Sequence, residues 1–326
     1  MQSGPLKLVF FGSDSFSLFS LQACLESSHT MSLIVTTPPQ KKGRGLILTP
    51  NPVQEFAEAH RLNWTAPATL KDPSTLETIR NLQPDLFVVS SYGKMIPDSY
   101  LGLPSIAPVN VHPSLLPKYR GSGPIQWTIL NGDKETGVSL IEVASRLDAG
   151  DIFYQTVISV APDETTPTLW EKLGHLSKSM LAELLNGLPA TTIPRRPQDE
   201  TRSTYARKLT KEDALIRLDL PAVEIERKIR GLKPWPGTYL SLGKEDRLMI
   251  LDGKAEPGSH HKQPGTVLDI TGESLILAAG EGTLVLKTVQ PSGKKPMGAA
   301  DYARGRRLQA GSLLCGVPCG PGGPVS

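Results

Sequence analysis

The run Val109-Asn-Val-His-Pro-Ser-Leu-Leu-Pro-Lys-Tyr-Arg-Gly121 places an amide and an imidazole two residues apart. On an extended strand Asn110 and His112 project from the same face, because strand side chains alternate. Pro113 biases His112 toward an extended backbone and blocks helix continuation. A second polar turn, Arg146-Leu-Asp-Ala-Gly-Asp151, supplies a carboxylate at Asp148 between two β-rich runs. A histidine accepts a proton from an attacking amine near neutral pH. A neighbouring carboxylate orients the ring and favours its charged form. An asparagine amide donates to the oxyanion of a tetrahedral intermediate, a role worth about 3 kcal/mol where one such donor is removed. The three groups together describe acyl transfer to an amine. Read singly, each also fits a plainer role: a histidine near a strand end is often a satisfied buried group, and Asp-Ala-Gly-Asp alone is a turn.

These residues need a scaffold that brings them to one strand end. Lys7–Ser13, Met31–Thr36, Asp85–Ser90 and Pro108–His112 are short apolar runs. Residues 14–27 and 74–82 have helical spacing between them, the first through Leu18, Leu21 and Leu25. Strands alternating with helices imply a parallel sheet covered on both faces. Such open sheets bind ligands at the C-terminal ends of their strands, where Asn110 and His112 fall. Thr136–Ala144 and Ile152–Val160 are two close β-rich runs, which predicts an antiparallel extension of the sheet. Residues 166–188 read as one long amphipathic helix. Residues 189–204 carry Pro189, Pro194 and Pro197 among polar residues and read as an interdomain linker. Beyond it, five short β-like runs between residues 237 and 289 predict a small β-barrel or sandwich. A helix at 221–231 precedes them and a short one at 299–307 follows. The expected boundaries are a catalytic domain at 1–188, a linker at 189–204, a barrel at 205–308 and a disordered Gly/Pro-rich tail at 309–326.

Composition narrows the possibilities. The 326 residues suit two domains at about 100–200 residues each. With 39% hydrophobic and 21% charged residues, global disorder is excluded. No apolar run approaches the ~18 residues of a membrane span, and residues 1–10 lack the core and cleavage pattern of a secretory signal. We expect a cytoplasmic protein with no membrane partner. Three cysteines do not make a disulfide framework and suggest a reducing compartment. Cys315 and Cys319 have no His or acidic neighbour, so no metal is expected there. There is no dinucleotide fingerprint, Walker A loop or nucleophile elbow. The net charge is +3, but residues 205–326 carry +5 against −2 for residues 1–204. A basic second half on a near-neutral first half points to a polyanionic partner such as nucleic acid.

The run from Asn110 to Gly121, with Pro124-Ile-Gln126 and Leu147-Asp-Ala-Gly-Asp151 beyond it, resembles the formyltransferase family that uses 10-formyltetrahydrofolate. Phe11-Gly-Ser-Asp-Ser-Phe-Ser17 is similar to that family's first strand and turn. Gly43-Arg-Gly-Leu-Ile-Leu-Thr-Pro-Asn-Pro-Val53 is similar to the inserted basic loop of its tRNA-acting branch, and Lys233-Pro-Trp-Pro-Gly-Thr-Tyr239 to that branch's C-terminal domain. The resemblance spans roughly residues 6–307. It implies an α/β fold: an open, mostly parallel twisted sheet with helices on both faces, Rossmann-like, plus a small OB-like β-barrel. It implies Asn110, His112 and Asp148 as the catalytic trio and Ser114, Leu115, Leu116 and Pro117 as folate contacts. Tyr92, Gly93 and Ile96 would flank the same pocket. The formyl group would pass from folate N10 to the α-amine of methionine on initiator tRNA. No metal and no covalent enzyme intermediate are implied, and a monomer is expected.

The segment 37–52 holds Lys41, Lys42 and Arg44 among glycines and prolines. Structureless loops longer than about 12–15 residues are uncommon and often functional, and mobile basic side chains suit phosphates. The resemblance points to Arg44 as the main tRNA contact. Lys294, Lys295 and Arg304 near the end of the barrel are expected to track the tRNA backbone. There are departures from the family pattern. Leu46 and Ile47 stand where lysines are common, Gly121-Ser-Gly-Pro124 replaces an alanine-containing turn, and Glu142–Arg146 differs just before Asp148. A formyltetrahydrofolate hydrolase or a sugar-nucleotide formyltransferase would share the trio but would not need the basic loop and barrel. A non-enzymatic RNA-binding module would show a degraded trio, and here it is intact.

Overall fold

The computed structural model describes residues 4–42, 47–188, 192–243 and 246–314. The chain divides into one unit of residues 1–125, 135–159 and 169–207 and a second of residues 126–134, 160–168 and 208–326.

The strands of the first unit are β1 (Lys7–Gly12), β2 (Thr30–Val35), β3 (Gln40–Lys42), β4 (Ile47–Thr49), β5 (Trp64–Thr65), β6 (Leu86–Ser90), β7 (Ala107–His112), β8 (Glu135–Glu142) and β9 (Ile152–Ser159). Seven of them form one sheet in the order β5-β2-β1-β6-β7-β8-β9. It is parallel through β7, and β8 and β9 add antiparallel to it, as the sequence predicted. Every residue of β6 is buried, which is why its sequence is a continuous apolar run rather than an alternating one. The helices are α1 (Ser17–Glu26), α2 (Pro52–Ala59), α3 (Pro73–Asn81), α4 (Asp98–Leu101), α5 (Pro124–Leu130) and α6 (Thr166–Gly187). Phe11 of β1 and Phe87 of β6 meet edge to face at 5.1 Å, within a core that includes Val35, Ile79 and Tyr100. Each such buried side chain contributes about 1.5–3 kcal/mol, so the sheet interior is a rigid base for its strand ends.

Segment 37–52 is not the structureless loop expected. β3 and β4 pair antiparallel, with Lys41 opposite Leu48. Asn51 pins both ends of the excursion. Its Oδ1 accepts from the Val53 and Gln54 backbone N–H groups, capping α2, and from Thr36 Oγ1 at 3.0 Å. Its Nδ2 donates to the Thr37 carbonyl at 2.7 Å.

The expected linker also behaves differently. Arg196 exchanges two backbone hydrogen bonds with Ile152 of β9, and Tyr205 bridges Arg120. Prolines hold the backbone near extended angles, so a Pro-rich run lies readily along an edge. The composition that suggested a free linker describes a strap on the first unit, which extends to residue 207.

The second unit holds α7 (Ala222–Gly231), β10 (Tyr239–Ser241), β11 (Arg247–Glu256), β12 (Val267–Thr271), β13 (Ser274–Ala278), β14 (Thr283–Pro291), β15 (Met297–Gly298) and α8 (Ala299–Gly305). The five longer strands form an antiparallel, OB-like sheet ordered β10-β11-β14-β13-β12, and β15 pairs with β14. Ile225 and Ile229 of α7 pack into a core with Leu248, Ile250, Leu284 and Leu286. Residues 309–314, expected to be disordered, pair with the edge of β12. Val267 donates to the Ser312 carbonyl, and Gly311 donates back to the Val267 carbonyl, each at 2.8 Å. An open strand edge is a liability that a returning chain segment covers. Cys315, Cys319 and the rest of the predicted tail lie outside the described residues. Among the described residues no helix is long and apolar enough to cross a membrane, and no group of three His, Cys, Asp or Glu is placed to hold a metal.

Candidate active site

Asn110 and His112 sit on one face at the C-terminal end of β7. The loop after β8 returns across that face and brings Asp148 to both. The Asp148 carboxylate is held at each oxygen: Asn110 Nδ2 donates to Oδ1 at 3.2 Å, and the Gly121 backbone N–H donates to Oδ2 at 2.9 Å. Asp148 has φ of 49°, a left-handed conformation that Asp adopts more readily than most residues. That backbone turn is what aims its carboxylate back at β7.

His112 is 5% exposed. Its Nε2 lies 2.9 Å from the Tyr119 carbonyl. A carbonyl only accepts, so Nε2 carries the proton and Nδ1 is the nitrogen left to receive one. Nδ1 faces Asp148 Oδ2 at 3.7 Å, too long for a direct hydrogen bond but close enough for the charges to interact. The Tyr119 carbonyl is aimed by a positive φ of 64° at that residue. Gly121 follows with φ of 107°, and a Cβ there would stand 2.8 Å from the Ala206 carbonyl oxygen. Only glycine suits that position.

The trio opens on a cavity of about 630 Å³. Its walls include Val89, Val111 and Ile141 and the predicted folate residues Tyr92, Gly93 and Ile96. Tyr92 is buried, its hydroxyl has no partner among the described residues, and burial pushes the phenol up to about 12. None of Ser114, Leu115, Leu116 or Pro117 lines the cavity. Ser114 and Leu116 are buried. The Ser114 hydroxyl donates to the Lys118 carbonyl at 2.7 Å, and the Leu116 N–H donates to Ser139 Oγ. These four residues build the turn that delivers Tyr119 to His112.

The cavity also holds residues that the sequence reading did not assign to the site: Asp14, Arg120, Leu147, Tyr205 and Arg207. Asp14 lies two residues past the end of β1, and its position beyond a strand end was the available signal. Burial pushes its carboxyl above the ordinary carboxylate range, opposed by hydrogen bonds from Ser17. Tyr205 and Arg207 arrive from a distant segment and have no local signature.

The predicted tRNA contacts fall on both units. Lys41 is exposed on β3, and Lys42 continues that strand. Arg44 lies outside the described residues. Lys294 and Lys295 are exposed in the turn between β14 and β15. Arg304 is engaged: Nη1 pairs with Asp301 Oδ1 at 2.7 Å and Nη2 donates to the Gly272 carbonyl. It is a weaker candidate than the two lysines.

Comparison with known proteins extends this reading along the chain. A family model described as formyl transferase matches residues 6–185, and one described as formyl transferase, C-terminal domain, matches residues 208–307. The methionyl-tRNA formyltransferase of Moorella thermoacetica is 38% identical over 309 residues, which cover 95% of this chain and 99% of that protein. An N-formyltransferase from Helicobacter canadensis, solved in complex with folinic acid and dTDP-3-aminofucose, has a TM-score of 0.65 at 17% identity. That match covers 86% of this chain and 98% of the other. HypX from Aquifex aeolicus in complex with tetrahydrofolic acid has a TM-score of 0.58 at 18% identity, over 99% of this chain and 50% of HypX, so this chain spans half of HypX's length. Those two likenesses are of fold. The two domain matches in their proper order, and a relative aligned nearly end to end, agree with the cluster of Asn110, His112 and Asp148: the chain belongs to the formyl transferase family.

Proposed function

We propose that this chain transfers the formyl group of 10-formyltetrahydrofolate to the α-amine of methionine esterified to initiator tRNA. The observation that carries this reading is the end-to-end identity with a methionyl-tRNA formyltransferase, which includes the C-terminal domain. The residues fit a folate: the cavity is within the ordinary size of small-molecule sites, its walls are largely apolar, and Tyr92 offers a buried hydroxyl. Tyr92, Gly93 and Ile96 would hold it. The folate supplies the formyl group, carried on N10.

The chain's own residues account for the rest. His112 Nδ1 takes the proton released as the amine nitrogen bonds to the formyl carbon. Asp148, 3.7 Å away, stabilises the imidazolium so formed. The proton held there is available to the departing nitrogen. Asn110 spends one amide hydrogen on Asp148, and its other has no partner among the described residues. That second hydrogen would donate to the formyl oxygen as it gains charge. Lys41, Lys42 and Arg44 on the β3–β4 excursion, with Lys294 and Lys295, are the candidate phosphate contacts, and a monomer suffices for this chemistry.

The test is transfer from labelled 10-formyltetrahydrofolate, offered in parallel to methionyl initiator tRNA, an amino-sugar nucleotide and water. Label on the tRNA-bound methionine is expected. Label on the sugar, or free formate alone, would overturn the reading while leaving the trio in place.

A further inference from the structure

Residues 186–207 fall between the two family-matched segments, yet they carry the side chain that braces the catalytic loop. The Gln198 amide is used on both sides. Its Nε2 donates to the Asp148 carbonyl at 2.8 Å and to the Gly150 carbonyl at 2.7 Å. Its Oε1 accepts from Arg120 Nη2 at 2.8 Å and Nε at 3.2 Å. These partners fix the amide's orientation, because a flip would set its oxygen against two carbonyls and its NH₂ against a guanidinium. Arg120 is itself 1% exposed, and Glu200 on the same strap anchors it through Nη1 at 3.1 Å and Nη2 at 2.9 Å. That pairing holds the Glu200 carboxyl below its usual range.

Asp148 sits in the left-handed region, with no Cβ-free residue to ease it. A side chain held there persists only when its surroundings over-determine it. Asn110 and Gly121 hold the carboxylate, while Gln198 holds the carbonyls of Asp148 and Gly150, the residues on either side of Ala149. We propose that Gln198, clamped by Arg120 and Glu200, is a positioning residue for catalysis: it fixes the backbone of the Asp148 turn so that the carboxylate faces His112 Nδ1. The proposal rests on the acyl-transfer role given above to Asp148 and His112. It makes the strap a working part of the active site.

The experiment compares Gln198→Ala and Gln198→Glu with the full-length wild type in the formyl-transfer assay. Gln198→Glu keeps the acceptor for Arg120 but sets a charged carboxylate oxygen against the Asp148 and Gly150 carbonyls in place of the two donors, so it serves where Gln198→Ala folds poorly. Both variants are expected to lower kcat about 10- to 100-fold, the cost of misplacing a catalytic group by roughly an ångström. KM for folate and for the acceptor should stay within about threefold, because Gln198 does not line the cavity and its apolar walls at Val89, Val111 and Ile141 are untouched. Arg196→Ala loosens the strap at Gln155 instead and should leave kcat within about twofold. In an Asp148→Asn background, adding Gln198→Ala should cost less than about threefold, since the group it positions is already silent. A kcat close to wild type, a rise in KM matching the fall in kcat, or a full additional loss in the Asp148→Asn background would overturn the proposal. Wild-type acceptor preference is scored separately. If the label goes to a sugar or to water, the tRNA reading fails, and the Gln198 comparison is read on that acceptor.

Discussion

Replacing Asp148 by Asn tests the site most directly. The substitution keeps the size of the side chain, and Asn tolerates a φ of 49° as well as Asp does, so the turn is preserved. Two things change. One carboxylate oxygen becomes an NH₂, which must face either the Gly121 N–H or the Asn110 amide, donor against donor. The charge beside His112 also disappears. The two side chains are 6% and 11% exposed, so an effective dielectric near 20 is appropriate. At 3.7 Å the attraction between an imidazolium and a carboxylate is then about 4 kcal/mol. That attraction exists only once the histidine has taken the proton, so its loss falls on the transition state and lowers kcat roughly a thousandfold. The apolar walls that would hold the folate are unaffected. The assay is single-turnover transfer to methionyl-tRNA, paired with folate titration by intrinsic fluorescence. A fall in rate of less than about tenfold, or a loss of folate affinity as large as the loss of rate, would refute the reasoning.

Other perturbations separate the remaining roles. Arg44→Ala should raise the apparent KM for tRNA while leaving transfer to a small amine surrogate unchanged, and equal damage to both would deny it a tRNA contact. Asn51→Ala removes the cap of α2 and the ties to Thr36 and Thr37, and should cost about 1–2 kcal/mol in a denaturant melt. Since it also frees the β3–β4 excursion, its KM for tRNA should rise; an unchanged melt would show that the cap is not stabilising. Tyr92→Phe removes a buried hydroxyl that has no partner among the described residues and should hold or raise the melting temperature. If that hydroxyl serves the folate, folate affinity falls at the same time, and an unaltered affinity would remove Tyr92 from the pocket's polar contacts.

The sheet was legible because its strands are buried on both faces and read as unbroken apolar runs between helical stretches. The second unit was legible for the opposite reason: short alternating strands cut by turn residues. Two of the failures share one cause. Residues 192–207 are polar with two prolines, and residues 309–314 open a Gly/Pro-rich tail, compositions that also suit a segment pairing with an edge. What distinguishes them is a long-range partner, Ile152 in one case and Val267 in the other, and no local pattern encodes that. The β3–β4 hairpin was missed because its strands are three residues each and too short for alternation to show.

That Asn110, His112 and Asp148 belong to one site was legible, and the structure brings them together, but the work of their neighbours was not. The run from Asn110 to Gly121 contains residues that face the cavity and residues that are needed only for its shape. Ser114 and Leu116 are buried and bonded to Lys118 and Ser139. Tyr119 takes a left-handed backbone to turn its carbonyl toward His112, and Gly121 makes room for the strap at Ala206 while donating to Asp148. A long ordered motif is therefore not a roll of ligand contacts. Much of it exists because a buried histidine needs a fixed tautomer, and a fixed tautomer needs one carbonyl held in place. The same argument extends beyond the motif. Gln198 does for the Asp148 turn what Tyr119 does for His112, from a segment whose own sequence shows nothing but prolines and charge.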